Sequence, residues 1–515
     1  MDAVAVGGIV TPFILTRLFR CLHRMESEVF SGRNDLKSII SNFIKYGLKL
    51  PLAKPDSSWS VLGRGLITRI LRRDLPRELR KKPVIFVDHH LAHASSAYFT
   101  SGKREALCVT ADGYGDGVSL TVSLCRNGNI NRVYEIGAWD SFGLFYSLIT
   151  LMLGFKSHRH EGKITGLAAY GNPENVNVEF PFLINGQMVS YISKWGRKGI
   201  KQNGKKLLKH PREDIAAWLQ KNFETGICSI VKSWVDKTGV KDVVLAGGVF
   251  ANVKLNQRIC QLPEVKSLYV FPNMGDGGLS VGAALYVQSR MSRRHGGEVK
   301  YQNLNHVYLG WNYSDKQIEK ELIKHNLAYK FYRRIEPRIA KLLSEGKTVA
   351  RFTGKMEYGP RALGNRSILY QATDPTVNDW LNKKLGRTEF MPFAPSTLIE
   401  YAGRCYKNYK KAMHAARFMT VTFECTDWMK DKCPGAVHVD GTARPQLVDR
   451  DYNPSFYNVI DGYRKITGIP TIINTSFNMH EEPIVENPND AIRAFLEAKL
   501  DYLAIENYLV RGEEV

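Results

Sequence analysis

Two histidines four residues apart, His89 and His93, lie in the run Val84-Ile85-Phe86-Val87-Asp88-His89-His90-Leu91-Ala92-His93-Ala94. The apolar tetrad reads as a buried strand running straight into a helix that carries both histidines. On a helix, positions i and i+4 share a face, so both imidazoles can meet one ion. A second β-rich run ends in an acid, Leu107-Cys108-Val109-Thr110-Ala111-Asp112-Gly113, and a third acid stands in Pro272-Asn273-Met274-Gly275-Asp276-Gly277-Gly278. Carboxylates in glycine-rich loops at the carboxyl ends of strands commonly face a ligand. If these loops fold together, two imidazoles and two carboxylates form a mixed nitrogen/oxygen set suited to iron, zinc or manganese. Helix packing produces the same histidine spacing, so spacing alone leaves the two readings level.

A second group of candidates lies downstream. In Gly354-Lys355-Met356-Glu357-Tyr358-Gly359-Pro360-Arg361-Ala362-Leu363-Gly364-Asn365-Arg366-Ser367, Arg361 and Arg366 read as a cradle for a doubly anionic group. The planar fork of arginine suits phosphate and carboxylate. Arginines that only brace the loop are the competing reading. Arg444 follows in another turn, and Asn474, Ser476 and Asn478 end a strand-like run from Ile469. Gly247 and Gly248 close the strand Val243–Ala246 before a helix, an arrangement that favours phosphate or nucleotide.

These residues need an α/β framework to position them. The sequence predicts an interior strand over Asp2–Gly8, a helix over 34–50 and a loop over Pro51–Ser60. β-rich runs are expected at Ala106–Val122 and Ile130–Trp139, separated by the hairpin signal Arg126-Asn127-Gly128-Asn129. A helix is expected over 141–156 and a glycine-punctuated turn open to a ligand over Glu161–Gly171. A polar insertion spans about 190–212, and a helix 213–237. A strand near 268 and a helix over 279–290 repeat the strand–loop–helix logic. A boundary falls between about 295 and 335, ahead of a helix over 336–345 and a strand over Thr348–Phe352.

At 515 residues, two or three domains are expected. A hydrophobic content of 44% and a charged content of 24% belong to an ordinary globular chain. The eight cysteines follow no CxxC spacing, which points to reduced thiols and a cytoplasmic location. The net charge of +22, concentrated in Arg64–Lys82 and Lys194–Arg212, suits anionic partners or simply solvated faces. No run reaches the ~18–20 consecutive apolar residues that a membrane-spanning helix needs. Ala3–Leu15 lacks the basic start of a signal peptide.

From His89 onward the chain resembles the O-carbamoyltransferases that decorate antibiotics and nodulation factors. The resemblance is carried by His89–Ala94, Thr110–Gly113, Glu161–Gly171, Ala246–Val249, Gly275–Gly278, Gly359–Ser367, Pro392–Pro395, Asp440–Arg444 and Asn474–Asn478, in that order. It implies an α/β fold with an actin/hexokinase-like (tRNA threonylcarbamoyltransferase-like) lobe over 1–310 and a YrdC-like domain over 330–515. It further implies an enzyme that uses ATP and carbamoyl phosphate to make a carbamoyl adenylate. The carbamoyl group then passes to a hydroxyl of a sugar, glycan or glycosylated natural product. His89, His93, Asp112 and Asp276 are implied as catalytic ligands of Fe2+, with Zn2+ or Mn2+ as alternatives. Gly247, Gly248, Lys163, Arg361, Arg366, Arg444, Asn474, Ser476 and Asn478 are implied in binding nucleotide and carbamoyl phosphate.

Two departures stand out. The chain starts at what resembles a later strand, Ala3–Gly7, so the first lobe is expected to lack the family's opening strands and their His-Asp loop. Of the basic segment before Pro392, Leu385–Met391 keeps only Arg387, which leans toward nodulation-type relatives. A tRNA threonylcarbamoyltransferase-like enzyme and a truncated nucleotide-binding protein without turnover are the rival readings. Nucleic acid is not the expected partner; peripheral membrane association and a homodimer stay open.

Overall fold

The computed structural model describes residues 3–8, 64–65, 68–69, 71–185, 188–191, 197–387 and 392–512. The helix expected over 34–50 and the loop over Pro51–Ser60 lie outside these residues. The chain divides into two compact units, Met1–Leu304 and Asn305–Val515.

In the first unit, β1 (Val4–Gly7) pairs in parallel with β2 (Val84–Val87), which leads into α1 (His89–Thr100). Three antiparallel strands follow: β3 (Glu105–Gly115), β4 (Val118–Arg126) and β5 (Asn129–Gly137). Next come α2 (Phe142–Met152), α3 (Glu161–Leu167), the hairpin β6 (Phe182–Asn185) and β7 (Met188–Tyr191), α4 (Arg197–Leu207) and α5 (Arg212–Thr238). Then β8 (Asp242–Ala246), α6 (Val253–Gln261), β9 (Ser267–Val270) and α7 (Leu279–Arg294) complete the unit. The five-stranded sheet has the order β5-β4-β3-β8-β9, with β8 parallel to both β3 and β9.

Two expectations change here. The run Ala106–Val122 is two strands, because Asp116 and Gly117 both adopt positive φ (51° and 83°) and turn the chain. Glu161–Gly171 is a helix, α3, followed by a 3-10 turn at Ala168–Tyr170, and not an open loop. Packing against α5 holds α3 together despite its two glycines.

The second unit contains α8 (Asp315–Lys324), β10 (Tyr329–Phe331), α9 (Glu336–Ser344), β11 (Val349–Phe352), β12 (Arg366–Gln371), α10 (Val377–Lys384) and β13 (Ala394–Leu398). The small pair β14 (Phe423–Glu424) and β15 (Thr442–Ala443) precedes β16 (Gln446–Val448), α11 (Pro454–Thr467) and β17 (Thr471–Ser476). α12 (Pro488–Glu497), β18 (Tyr502–Ile505) and β19 (Tyr508–Arg511) end it. Eight strands form a mixed sheet in the order β10-β19-β18-β11-β12-β17-β13-β16. Its core joins Ile339, Leu342 and Leu343 of α9 and Phe456, Val459 and Ile460 of α11 to Val349, Leu369 and Ile472 of the sheet.

The loop from Glu357 to Arg366 is pinned by buried polar groups. One Glu357 oxygen accepts the backbone N–H groups of Leu363 (2.8 Å), Asn365 (2.7 Å) and Arg366 (3.2 Å). Gln446 Nε2 donates to Leu363 O at 2.8 Å, as does the Tyr308 hydroxyl at 2.9 Å. Glu357 is 5% exposed, so its removal strands three amides away from water. At ~1–3 kcal/mol for each unsatisfied buried donor, Glu357→Ala is expected to destabilise the second unit by at least about 3 kcal/mol. Chemical denaturation followed by the fluorescence of that unit's tryptophans measures this; an unchanged midpoint contradicts it.

Candidate functional site

The first candidate cluster starts at a helix cap. Asp88 follows β2 as the N-cap of α1, and its carboxylate accepts the Leu91 N–H at 2.8 Å, fixing the start of the helix. Arg132 on β5 pairs with the same carboxylate. α1 is buried along almost its whole length, and α7 lies hard against it: a Cβ on Gly282 would meet Ala92 O at 1.8 Å. Only glycine permits that approach, which brings the turn before α7 to the first turns of α1.

Asp112 lies where the β3–β4 register breaks, between Ala111 and Gly115. Such irregularities re-aim side chains beside functional sites. One of its oxygens accepts the Gly113 N–H (2.7 Å), the other the Gly248 N–H (3.2 Å). Asp276 opens the turn Asp276–Gly278 ahead of α7. Gly247 N donates to Met274 O at 2.7 Å, tying the loops after β8 and β9 together.

The four side chains converge. His93 Nε2 lies 3.2 Å from Asp112 Oδ2 and 3.6 Å from Asp276 Oδ1; His89 Nε2 lies 3.7 and 3.6 Å from the same oxygens. One donor atom from each residue falls within 4.8 Å of all the others. His89 Nε2 and both ring nitrogens of His93 are buried with no hydrogen-bond partner. Orphaned imidazole nitrogens facing two carboxylates match the donor set of a divalent cation.

The charges follow from this crowding. Burial alone would lower the His93 pKa, but Asp112 and Asp276 outweigh it and raise it from 6.5 to about 9. Burial would raise the Asp112 pKa, yet His89 and His93 hold it well below the usual carboxylate range. His90, between the two, is different. Burial, then the charges of His89 and His93, push its pKa well below 6.5, and its ring is engaged by Thr110 Oγ1 (2.7 Å) and Val118 O (3.0 Å).

Several expected site residues serve other ends. Gly247 has φ +106°, and a Cβ there would meet Ala111 O at 2.0 Å, while the Gly248 amide is directed at Asp112. The glycine pair therefore helps seat the Asp112 carboxylate. Lys163 is buried within α3, at 6% exposure, and not on an open loop. Arg366 is fully buried over the Phe352 ring (3.7 Å to the centroid). It donates to the carbonyls of Thr353 (2.7 Å), Gly354 (3.1 Å), Asn365 (3.1 Å) and Trp311 (3.3 Å). It braces the loop and is unavailable as an anion ligand.

Arg361 and Arg444 are half-buried. The Asn474 amide, 1% exposed, donates to Ala362 O (3.3 Å), Ser396 Oγ (3.1 Å) and Gln446 Oε1 (2.9 Å), which gathers the segments carrying both arginines at one end of the sheet. Ser476 and Asn478 are claimed by Arg387, whose Nη2 donates to Ser476 O (2.8 Å), Asn478 O (2.9 Å) and Asn478 Oδ1 (2.7 Å). Arg387 is the member of this cluster that motif reading passed over. Its one signal was its retention in an otherwise altered segment.

Residues 49–285 match the model for the carbamoyltransferase N-terminus, and residues 340–512 that for the carbamoyltransferase C-terminus. The chain belongs to the carbamoyltransferase family and is a carbamoyltransferase. It is 33% identical to uncharacterized protein MJ1058 of Methanocaldococcus jannaschii, over 93% of this chain and 83% of that protein. It is 31% identical to nodulation protein NolO of Bradyrhizobium diazoefficiens, over 82% of this chain and 79% of that one. Nodulation protein NolNO of Sinorhizobium fredii is 32% identical, over 87% and 66% respectively. Among solved structures, full-length HypF in its phosphate- and nucleotide-bound form is 17% identical over 41% of this chain and 44% of that chain, with a TM-score of 0.31, too slight a likeness to argue from. Among the described residues, no helix is long and apolar enough to cross a membrane.

The raised His93 pKa fixes a pH dependence. In chelator-treated protein, stabilisation from protonated His93 is complete below 6.5, the unfolded value, and is lost as pH rises through about 9. Thermal melts of that protein are therefore expected to fall between pH 6.5 and 9.5. A divalent ion must displace the same proton, so its affinity is expected to rise with pH up to about 9. A flat melting temperature across this window contradicts the assignment.

Proposed function

We propose that this carbamoyltransferase is ATP-dependent and carbamoylates a hydroxyl of a sugar or glycan, drawing on carbamoyl phosphate. The observation that carries the reading is the convergence of His89, His93, Asp112 and Asp276 within 4.8 Å, in a chain with both carbamoyltransferase halves. The mixed strand order of each unit supports an actin/hexokinase-like first lobe and a YrdC-like second domain. The nodulation proteins among the relatives support an acceptor of the nodulation type.

In this scheme water hydrolyses carbamoyl phosphate to carbamate and inorganic phosphate, and a carbamate oxygen attacks the α-phosphorus of ATP. Pyrophosphate leaves and carbamoyl adenylate forms. Arg361 and Arg444 hold the anionic groups, a task that suits their half-buried guanidinium forks. Arg387 orders Ser476 and Asn478 at the end of β17. The acceptor oxygen then attacks the carbamoyl carbon, its proton passes to solvent, and AMP departs. The carbonyl is deactivated by its own nitrogen, so the developing negative charge needs stabilisation. His89, His93, Asp112 and Asp276 would hold Fe2+, or Zn2+ or Mn2+ in its place, which when bound polarises oxygen ligands and offsets their charge. None of the seven described cysteines is in a disulfide, which supports a cytoplasmic setting.

Incubation with carbamoyl phosphate, ATP and a panel of hydroxyl acceptors is expected to release pyrophosphate and carbamoylate one of them. His93→Ala should lower transfer at least about a hundredfold, on the scale of losing a group that stabilises transition-state charge. Neither pyrophosphate nor carbamoylated product, from protein carrying its divalent ion, would overturn the proposal.

A further inference from the structure

We infer that Asp116 is a positioning residue of the His–His–Asp–Asp centre, and that it does so by locking the β3–β4 turn onto the first residue of α1. The inference rests on the metal reading proposed above and concerns a residue outside that ligand set.

Asp116 is the first of two positive-φ residues in the turn, at φ +51°, followed by Gly117 at φ +83°. Asp tolerates this left-handed region better than most residues with a side chain. The turn alone would explain an Asp-Gly pair with the carboxylate pointing into water. Here Asp116 is 3% exposed, and its Oδ2 accepts the backbone N–H of His89 at 2.8 Å. That N–H is one of the unsatisfied donors of a helix's first turn, and Asp88 takes another, from Leu91. Asp88 belongs to the helix's own approach, whereas Asp116 comes from a separate hairpin. That hairpin also carries Asp112.

One hydrogen bond therefore joins the backbone bearing one imidazole to the backbone bearing one carboxylate. The neighbouring residue, Gly115, meets the His89 ring itself. A Cβ at Gly115 would lie 2.2 Å from His89 Cγ and Cδ2 and 2.6 Å from Nδ1. The bare Gly115 backbone thus forms a wall against the imidazole, while Asp116 holds the peptide from which the ring projects. Between them they leave His89 Nε2 facing Asp112 and Asp276 at 3.7 and 3.6 Å.

The test separates turn-making from positioning, using full-length protein and Co2+ alone as the probe. Asp116→Gly keeps the turn, since glycine adopts positive φ freely, but deletes the acceptor. Asp116→Asn keeps both an acceptor oxygen and tolerance of the turn. Co2+ affinity is expected to weaken about tenfold or more in Asp116→Gly, the scale seen when a residue orienting a metal ligand is lost. The visible Co2+ bands should change with it, while Asp116→Asn restores both affinity and spectrum. Gly115→Ala should perturb the same bands by displacing the ring. Wild-type affinity and spectrum in Asp116→Gly would overturn the inference, as would Asp116→Asn behaving like Asp116→Gly. If the wild-type protein binds no Co2+, the metal reading itself falls and takes this one with it.

Discussion

Two carboxylates held within 4.8 Å of each other repel, and something positive must stand between them. That electrostatic demand governs the first unit. Asp112 and Asp276 come from loops after different strands, and both face His93, whose ring is wholly buried. The proton they draw onto His93 is the protein's own answer; a divalent cation is a stronger one. Either way the elements that carry the two carboxylates hold them together against that repulsion.

Close packing is achieved with glycines placed where a Cβ has no room. Gly247 lets the end of β8 touch Ala111, Gly282 lets α7 rest on Ala92, and Gly115 leaves space for the His89 ring. Each serves a different pair of elements, and together they set the distances among three separate ligand-bearing segments. The second unit solves its problem by other means. There a buried polar network of Glu357, Gln446 and Asn474 fixes an irregular loop whose backbone N–H and C=O groups have no strand to pair with.

The first cluster was legible in sequence because both of its signals are positional. Histidines at i and i+4 must share a helix face, and Asp-Gly after an apolar run marks a strand's carboxyl end. The second was legible only as a region. Nothing in the string Gly359–Ser367 distinguishes an arginine that meets a ligand from one that meets carbonyls, and Arg366 proved to be of the second kind. For Gly247 and Gly248 a strand followed by two glycines did not say what approaches them, and the contacts with Ala111 and Asp112 were not legible. The turn at Asp116-Gly117 carried its own signal, an Asp-Gly pair inside the run Ala106–Val122. The helical character of Glu161–Leu167 was hidden by its two glycines, because tertiary packing on α5 overrides their poor propensity.

Asp276 differs from its three companions in one respect: its side chain is 72% exposed, against 10% for His89, 0% for His93 and 20% for Asp112. Among these four residues, water therefore reaches the centre most readily at the turn before α7. A solute arriving from that side comes within reach of the Asp276 carboxylate more easily than of either buried imidazole.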